Sequence, residues 1–241
     1  MNHLCYWQRL ALYCLKLAYC KHNAKIIFLD DGIQAVELFS NNPRKVKNPV
    51  WISLVQHFFS IYALFKRVNR SFFFTIYDVK SEKFIIEKNS FEILKPNNAT
   101  TNDGVYVIGT NSSKLNLNNQ DYREILMLVV SRCKKDYKDQ TVFYCPHRGD
   151  KNNGELKPLL LKHGVVWFDT EISVEYDFIK KNIYPQIIIG FNSNALFTLH
   201  SLFPKSLTMN VCFRFKNDID NIESNIIRDK LVDYGIPMIE L

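Results

Sequence analysis

The sequence contains no CxxC pair, no zinc-finger spacing and no GxGxxG after a strand-like run. Each absence removes a class of function. Without clustered Cys and His ligands there is no structural zinc module, and without the glycine fingerprint a dehydrogenase-type dinucleotide site is unsupported. No RNP-like aromatic strand is present and the Lys and Arg residues are scattered, so nucleic acid is not an expected partner. The apolar N-terminal stretch is broken by Gln8, Arg9 and Lys16 and lacks a small-residue cleavage site. That argues against a secretory signal and for a cytoplasmic location, where the sequons at Asn69, Asn98 and Asn111 carry no meaning. The six cysteines fall mostly in apolar helix or strand patterns, where a reduced thiol behaves as a small hydrophobe.

What is present is an ordinary globular composition. With 47% hydrophobic and 23% charged residues, a chain of 241 can build one large or two small domains with a real core. The formal net charge of +7 favours an anionic partner, such as a nucleotide-sugar, an acidic polysaccharide or a membrane surface.

Residues 4–20 place Leu4, Trp7, Leu10, Ala11, Cys14, Leu15 and Ala18 at helical spacing, and a strand at 25–29 follows. Asp30-Asp31-Gly32 closes that strand, a short helix is expected at 34–40, and 43–49 reads as a basic loop. Residues 50–68 form one long apolar segment, but Gln56 and His57 near its middle and Lys66-Arg67 at its end argue against a bilayer span. It reads either as a buried or subunit-packing helix or as an interfacial helix lying on a membrane. Strand-like runs at 71–77 and 83–87 lead into a Pro/Asn/Thr-rich linker at 95–103. The linker divides a first domain, 1–95, from a second, 104–241. From 104 onward, strands at 105–108, 141–145, 165–168, 186–190, 207–213 and 238–240 alternate with helices at 120–137, 155–162, 174–181, 195–202 and 219–234. Short apolar runs between amphipathic helices predict a parallel sheet buried on both faces, hence an α/β, Rossmann-like second domain.

Polar residues of catalytic type stand just past several of these strands. Asp30-Asp31-Gly32 reads either as a cap for the next helix or as a general base, since two adjacent carboxylates point different ways and one can face a cleft. Pro146 stops the strand 141–145 and presents His147 beside Arg148; the imidazole is either a structural donor or an acid able to bind and protonate a phosphate. Glu175 lies in the first turn of a helix opened by Ser173, where the helix dipole favours a carboxylate whatever the function; the alternative is an acceptor for two ribose hydroxyls. Ser193 follows Gly190-Phe191-Asn192 and precedes Asn194, so capping and phosphate binding are compatible roles for one geometry.

The order and placement of these residues make the chain resemble the bacterial sialyltransferases of the lipooligosaccharide and polysialic-acid capsule types. Hallmarks of that family are a D/E-D/E-G motif, an HP motif and a serine motif in that order, and the likeness covers residues 25–38 and 141–204. It implies a GT-B fold of two facing Rossmann-like domains, a metal-independent reaction, and CMP-sialic acid as donor with no bound cofactor. Carried onto this sequence, the resemblance implies that Asp31 is the base for the acceptor hydroxyl, with Asp30 and Gly32 completing its turn. It implies that His147, between Pro146 and Arg148, contacts and protonates the departing phosphate of CMP. Glu175 would hold the ribose, and Ser193, between Gly190 and Asn194, the phosphate. Arg148 stands where the motif usually has Pro, and Asn194 where a second Ser or Thr is common. Family members carry a longer segment ahead of the acidic motif, so the expectation here is an N-terminal acceptor domain short of its first strands.

These readings converge on transfer of sialic acid from CMP-sialic acid to a glycan acceptor of the bacterial surface, in lipooligosaccharide or capsule. The rival class is a catalytically silent protein that keeps the nucleotide wall and binds a partner in capsule assembly. A third reading is a basic membrane-surface protein built around residues 50–68. The apolar surface of a short N-terminal half further predicts a homo-oligomer, or peripheral attachment at the inner membrane.

Overall fold

Runs in which consecutive residues are all apolar, such as Val105–Ile108, are satisfied only where both faces of a strand are covered. The computed structural model describes residues 27–29, 72–76, 80, 85–92, 94, 101–115, 117–147, 154–212 and 222–241. The chain divides into two compact units, Met1–Asn89 and Ser90–Leu241. In the first, β1 (Ile27–Leu29), β2 (Phe72–Thr75) and β3 (Ile85–Lys88) pair as a parallel sheet in that order. Ile27 pairs with Phe72 and Phe72 with Ile85, and the Asn89 N–H donates to the Thr75 carbonyl at 2.8 Å. The helices expected at 4–20 and 34–40, the apolar segment 50–68 and residues 95–100 of the linker lie outside the described residues.

The second unit alternates strand and helix throughout. Its strands are β4 (Thr101–Ile108), β5 (Thr141–Cys145), β6 (Val166–Trp167), β7 (Tyr184–Gly190), β8 (Leu207–Cys212) and β9 (Met238–Glu240). Between them run α1 (Asn119–Asp136), α2 (Leu156–Lys162), α3 (Val174–Lys180), α4 (Asn194–Leu202) and α5 (Ile222–Asp233). All six strands pair in parallel in the order β6-β5-β4-β7-β8-β9. This is a Rossmann-like α/β sheet, as the alternation predicts.

Period-two alternation sorts the core. Val105, Val107, Ile187, Ile189, Met209 and Val211 share a core with Tyr122, Leu126, Val129 and Cys133 of α1 and with Leu156 and Leu160 of α2. Tyr106 belongs to the other face: its ring stacks on Phe143 at 4.7 Å and meets Phe178 of α3 edge-on at 4.9 Å. Phe178 in turn meets Phe203, and Phe203 meets Tyr184.

Two strands start earlier than the sequence suggests. Asn102-Asp103-Gly104 has the composition of a turn, yet β4 begins at Thr101 because Thr101 and Asn102 pair with Tyr184 and Pro185. The ladder shifts register between Asn102 and Val105, next to the pair that Asn102 makes with Pro185, a residue with no N–H to give a ladder. Among the described residues no helix is long and apolar enough to cross a membrane.

Candidate functional site

In this sheet the strand order reverses between β4 and β7, and the connections leaving those two strands diverge to opposite sides. Such a switch point opens a crevice at the carboxyl ends of the strands. Along that edge, reading β6, β5, β4, β7, lie the turns carrying Glu175, His147, Gly109-Thr110-Asn111 and Ser193. Neighbouring strands are about 4.8 Å apart, so these four turns span about 14 Å. The chain order His, Glu, Ser thus becomes the spatial order Glu, His, Ser, with the β4 turn between the last two.

Pro146 is buried and ends β5; His147, the next residue, is half-buried at the edge. Before them Cys145 is a free buried thiol whose pKa burial pushes well up, so it sits there as a protonated hydrophobe rather than a nucleophile. Asp30, Asp31 and Gly32, which follow β1, and Arg148 lie outside the described residues.

Glu175 occupies the first turn of α3, half-exposed, and makes no hydrogen bond or ion pair among the described residues. Ser173 caps this helix, its Oγ accepting the Tyr176 N–H at 3.2 Å. One turn on, the wholly buried Asp177 accepts the Glu171 N–H on Oδ2 at 2.8 Å and so pins the loop that leads from β6. Glu171 bonds Lys180 at 2.6 Å, which lowers the carboxyl pKa and raises that of the ammonium. It is a paired surface charge, as a loop carboxylate should be.

Ser193 is the N-cap of α4, with Oγ accepting the Ala195 N–H at 3.3 Å. Its hydroxyl hydrogen is still available to an acceptor, so capping and anion binding coexist. Asn194 opens the helix, and its buried Oδ1 has no partner among the described residues. Gly190 has a packing reason of its own, since a Cβ there would lie 2.8 Å from Cδ2 of Leu196. Its absence lets α4 start tight against β7.

The turn after β4 was not among the residues the sequence singles out, yet it occupies the centre of the edge. Gly109 donates its N–H to the Cys145 carbonyl at 2.8 Å. Thr110, itself buried, donates its N–H to the Tyr122 hydroxyl at 3.2 Å, and that hydroxyl is 2.9 Å from the hydroxyl of Tyr144. Phe191, from the turn after β7, meets the Tyr122 ring at 5.9 Å, so the two central turns share one support. The only sequence signal was a glycine straight after an apolar run. Without the strand order nothing marked that run as the first strand of the switch.

Taken together, the edge offers a carboxylate, an imidazole, main-chain turns and a capped helix start within nucleotide reach. Among the described residues no three His, Cys, Asp or Glu side chains are grouped to hold a metal ion. Comparison of the sequence with protein-family models found no match, and comparison with curated proteins found none either.

Proposed function

We propose that the chain is a CMP-sialic-acid-dependent glycosyltransferase of GT-B type, acting on a glycan of the bacterial surface. The supporting observation is the lining up of the Glu175, His147 and Ser193 turns along one sheet edge around a topological switch point. In this reading the cytidine ribose bonds Glu175, and the phosphate lies between His147 and the start of α4. Asp31 takes the proton of the acceptor hydroxyl as its oxygen attacks the anomeric carbon. The bond from that carbon to the phosphate oxygen breaks, positive charge develops on the sugar ring as in other glycosyl transfers, and His147 donates a proton to the departing CMP.

Titration of the protein with CMP by calorimetry tests the donor site, and transfer from CMP-sialic acid to galactosylated or sialylated acceptors tests the reaction. CMP binding with transfer supports the proposal. Binding without transfer assigns a silent nucleotide-binding role, and no binding removes the nucleotide reading altogether.

A further inference from the structure

We infer that Asn210, on β8, is a positioning residue for this site: it clamps the turn that presents Ser193. The inference rests on the donor reading above. Asn210 is 0% exposed between the buried apolar residues Met209 and Val211. An amide in a central parallel strand costs stability unless its donors and acceptor are met. Here Asn192 meets the acceptor and one donor, and Met238 is the amide nitrogen's other partner. Oδ1 of Asn210 accepts the main-chain N–H of Asn192 at 2.7 Å, and its Nδ2 donates to Oδ1 of Asn192 at 2.6 Å, with Sδ of Met238 at 3.3 Å. Two bonds to one residue fix both its main chain and its side chain.

What they fix is strained. Asn192 has φ of 43°, the left-handed region that non-glycine residues occupy at a cost. The clamp stabilises that conformation from below, while the close approach of Leu196 to Gly190 sets the near end of the same turn. Ser193 follows directly, so its hydroxyl and the first N–H groups of α4 are aimed by a turn held at both ends. A strand needing only to fill a core would carry an apolar residue at 210. The polar one is explained by the turn it holds in the next strand's connection.

Calorimetry with CMP on the wild type, Asn210→Leu and Leu160→Ala tests this, the last being a core truncation in α2 that lowers the melting temperature without touching the turn. Asn210→Leu is expected to weaken CMP binding about ten- to a hundredfold, the loss that follows an orphaned donor. Leu160→Ala keeps wild-type affinity. In the double variant Asn192→Gly/Asn210→Leu, glycine accepts the left-handed turn freely, and part of the affinity returns. Equal CMP affinity in Asn210→Leu and wild type, or an equal loss in Leu160→Ala, overturns the inference. Should Asn210→Leu fail to fold, Asn192→Ala removes the side-chain half of the clamp, leaving the main-chain N–H bond to Asn210 in place, and a smaller loss of CMP affinity in the same direction is expected, with unchanged affinity overturning the inference. If the wild type does not bind CMP, the donor reading fails on its own, and the same proteins are titrated with inorganic phosphate. Weaker phosphate binding in Asn210→Leu then supports the clamp, and unchanged or absent phosphate binding overturns it.

Discussion

Gly190 has no side chain because there is no room for one. Sequence reading placed it beside the phosphate; the structure gives it a steric task, since the first turn of α4 occupies the space of its Cβ. Gly190→Ala is expected to cost about 1–3 kcal/mol, as overpacking does, read as a lower urea midpoint. Trimming the neighbour in Gly190→Ala/Leu196→Ala should return part of the Gly190→Ala loss relative to Leu196→Ala alone; no coupling between the two would contradict the contact. On the same helix His200 is half-buried, its Nδ1 has no partner among the described residues, and burial lowers its pKa. The sign follows directly. Below about 6.5, the usual histidine value, the unfolded chain takes up a proton that the folded one still refuses. Stability is therefore fully present above that pH, falls as pH drops through it, and levels off beneath the folded value. Melting curves from pH 7.5 to 5 should show this decline in the wild type and a smaller one in His200→Gln; parallel curves would remove His200 from the account.

Helix α3 shows how element and site are tied. Seven residues are too few for an isolated helix, so it depends on the Ser173 cap and on Val174, Asp177 and Phe178 buried beneath it. Ser173→Ala should cost about 1 kcal/mol, seen in the melting temperature. Glu175→Gln should do the reverse: little change in melting, but CMP affinity weaker by about 1.5–3 kcal/mol if the carboxylate holds the ribose. A fall in melting with unchanged affinity would assign Glu175 to the helix dipole alone. At this scale the sequence was largely readable. The helix positions of α1 and the bounds of β5 and β9 follow from period and from flanking Pro, Gly or Asn. What periodicity could not supply was pairing. Thr101–Gly104 is strand because β7 pairs with Thr101 and Asn102 and β5 with Gly104, and Thr110 and Asn192 are tied into the site by partners 12 and 18 residues away. Such long-range contacts leave no local pattern in the chain.

For the molecule as a whole, the question is whether the nucleotide wall depends on the first unit. Every described member of the main core, from Val105 to Val211, belongs to the unit Ser90–Leu241, and so do all six strands of its sheet. That unit falls within the size range of domains that fold alone, and the helices α1 and α2 that pack on its sheet come from its own sequence. Residues 90–241 expressed alone are therefore expected to unfold in a single cooperative urea transition, with coincident circular dichroism and fluorescence curves. The proposed CMP contacts at His147, Glu175 and Ser193 all lie in it, whereas Asp31 does not. The fragment should bind CMP like the full chain yet transfer no sugar, which separates the wall that binds the donor from the group that activates the acceptor. A folded fragment with no affinity for CMP, beside a full chain that binds it, would show that the first unit completes the nucleotide site and that the edge described here is only part of it.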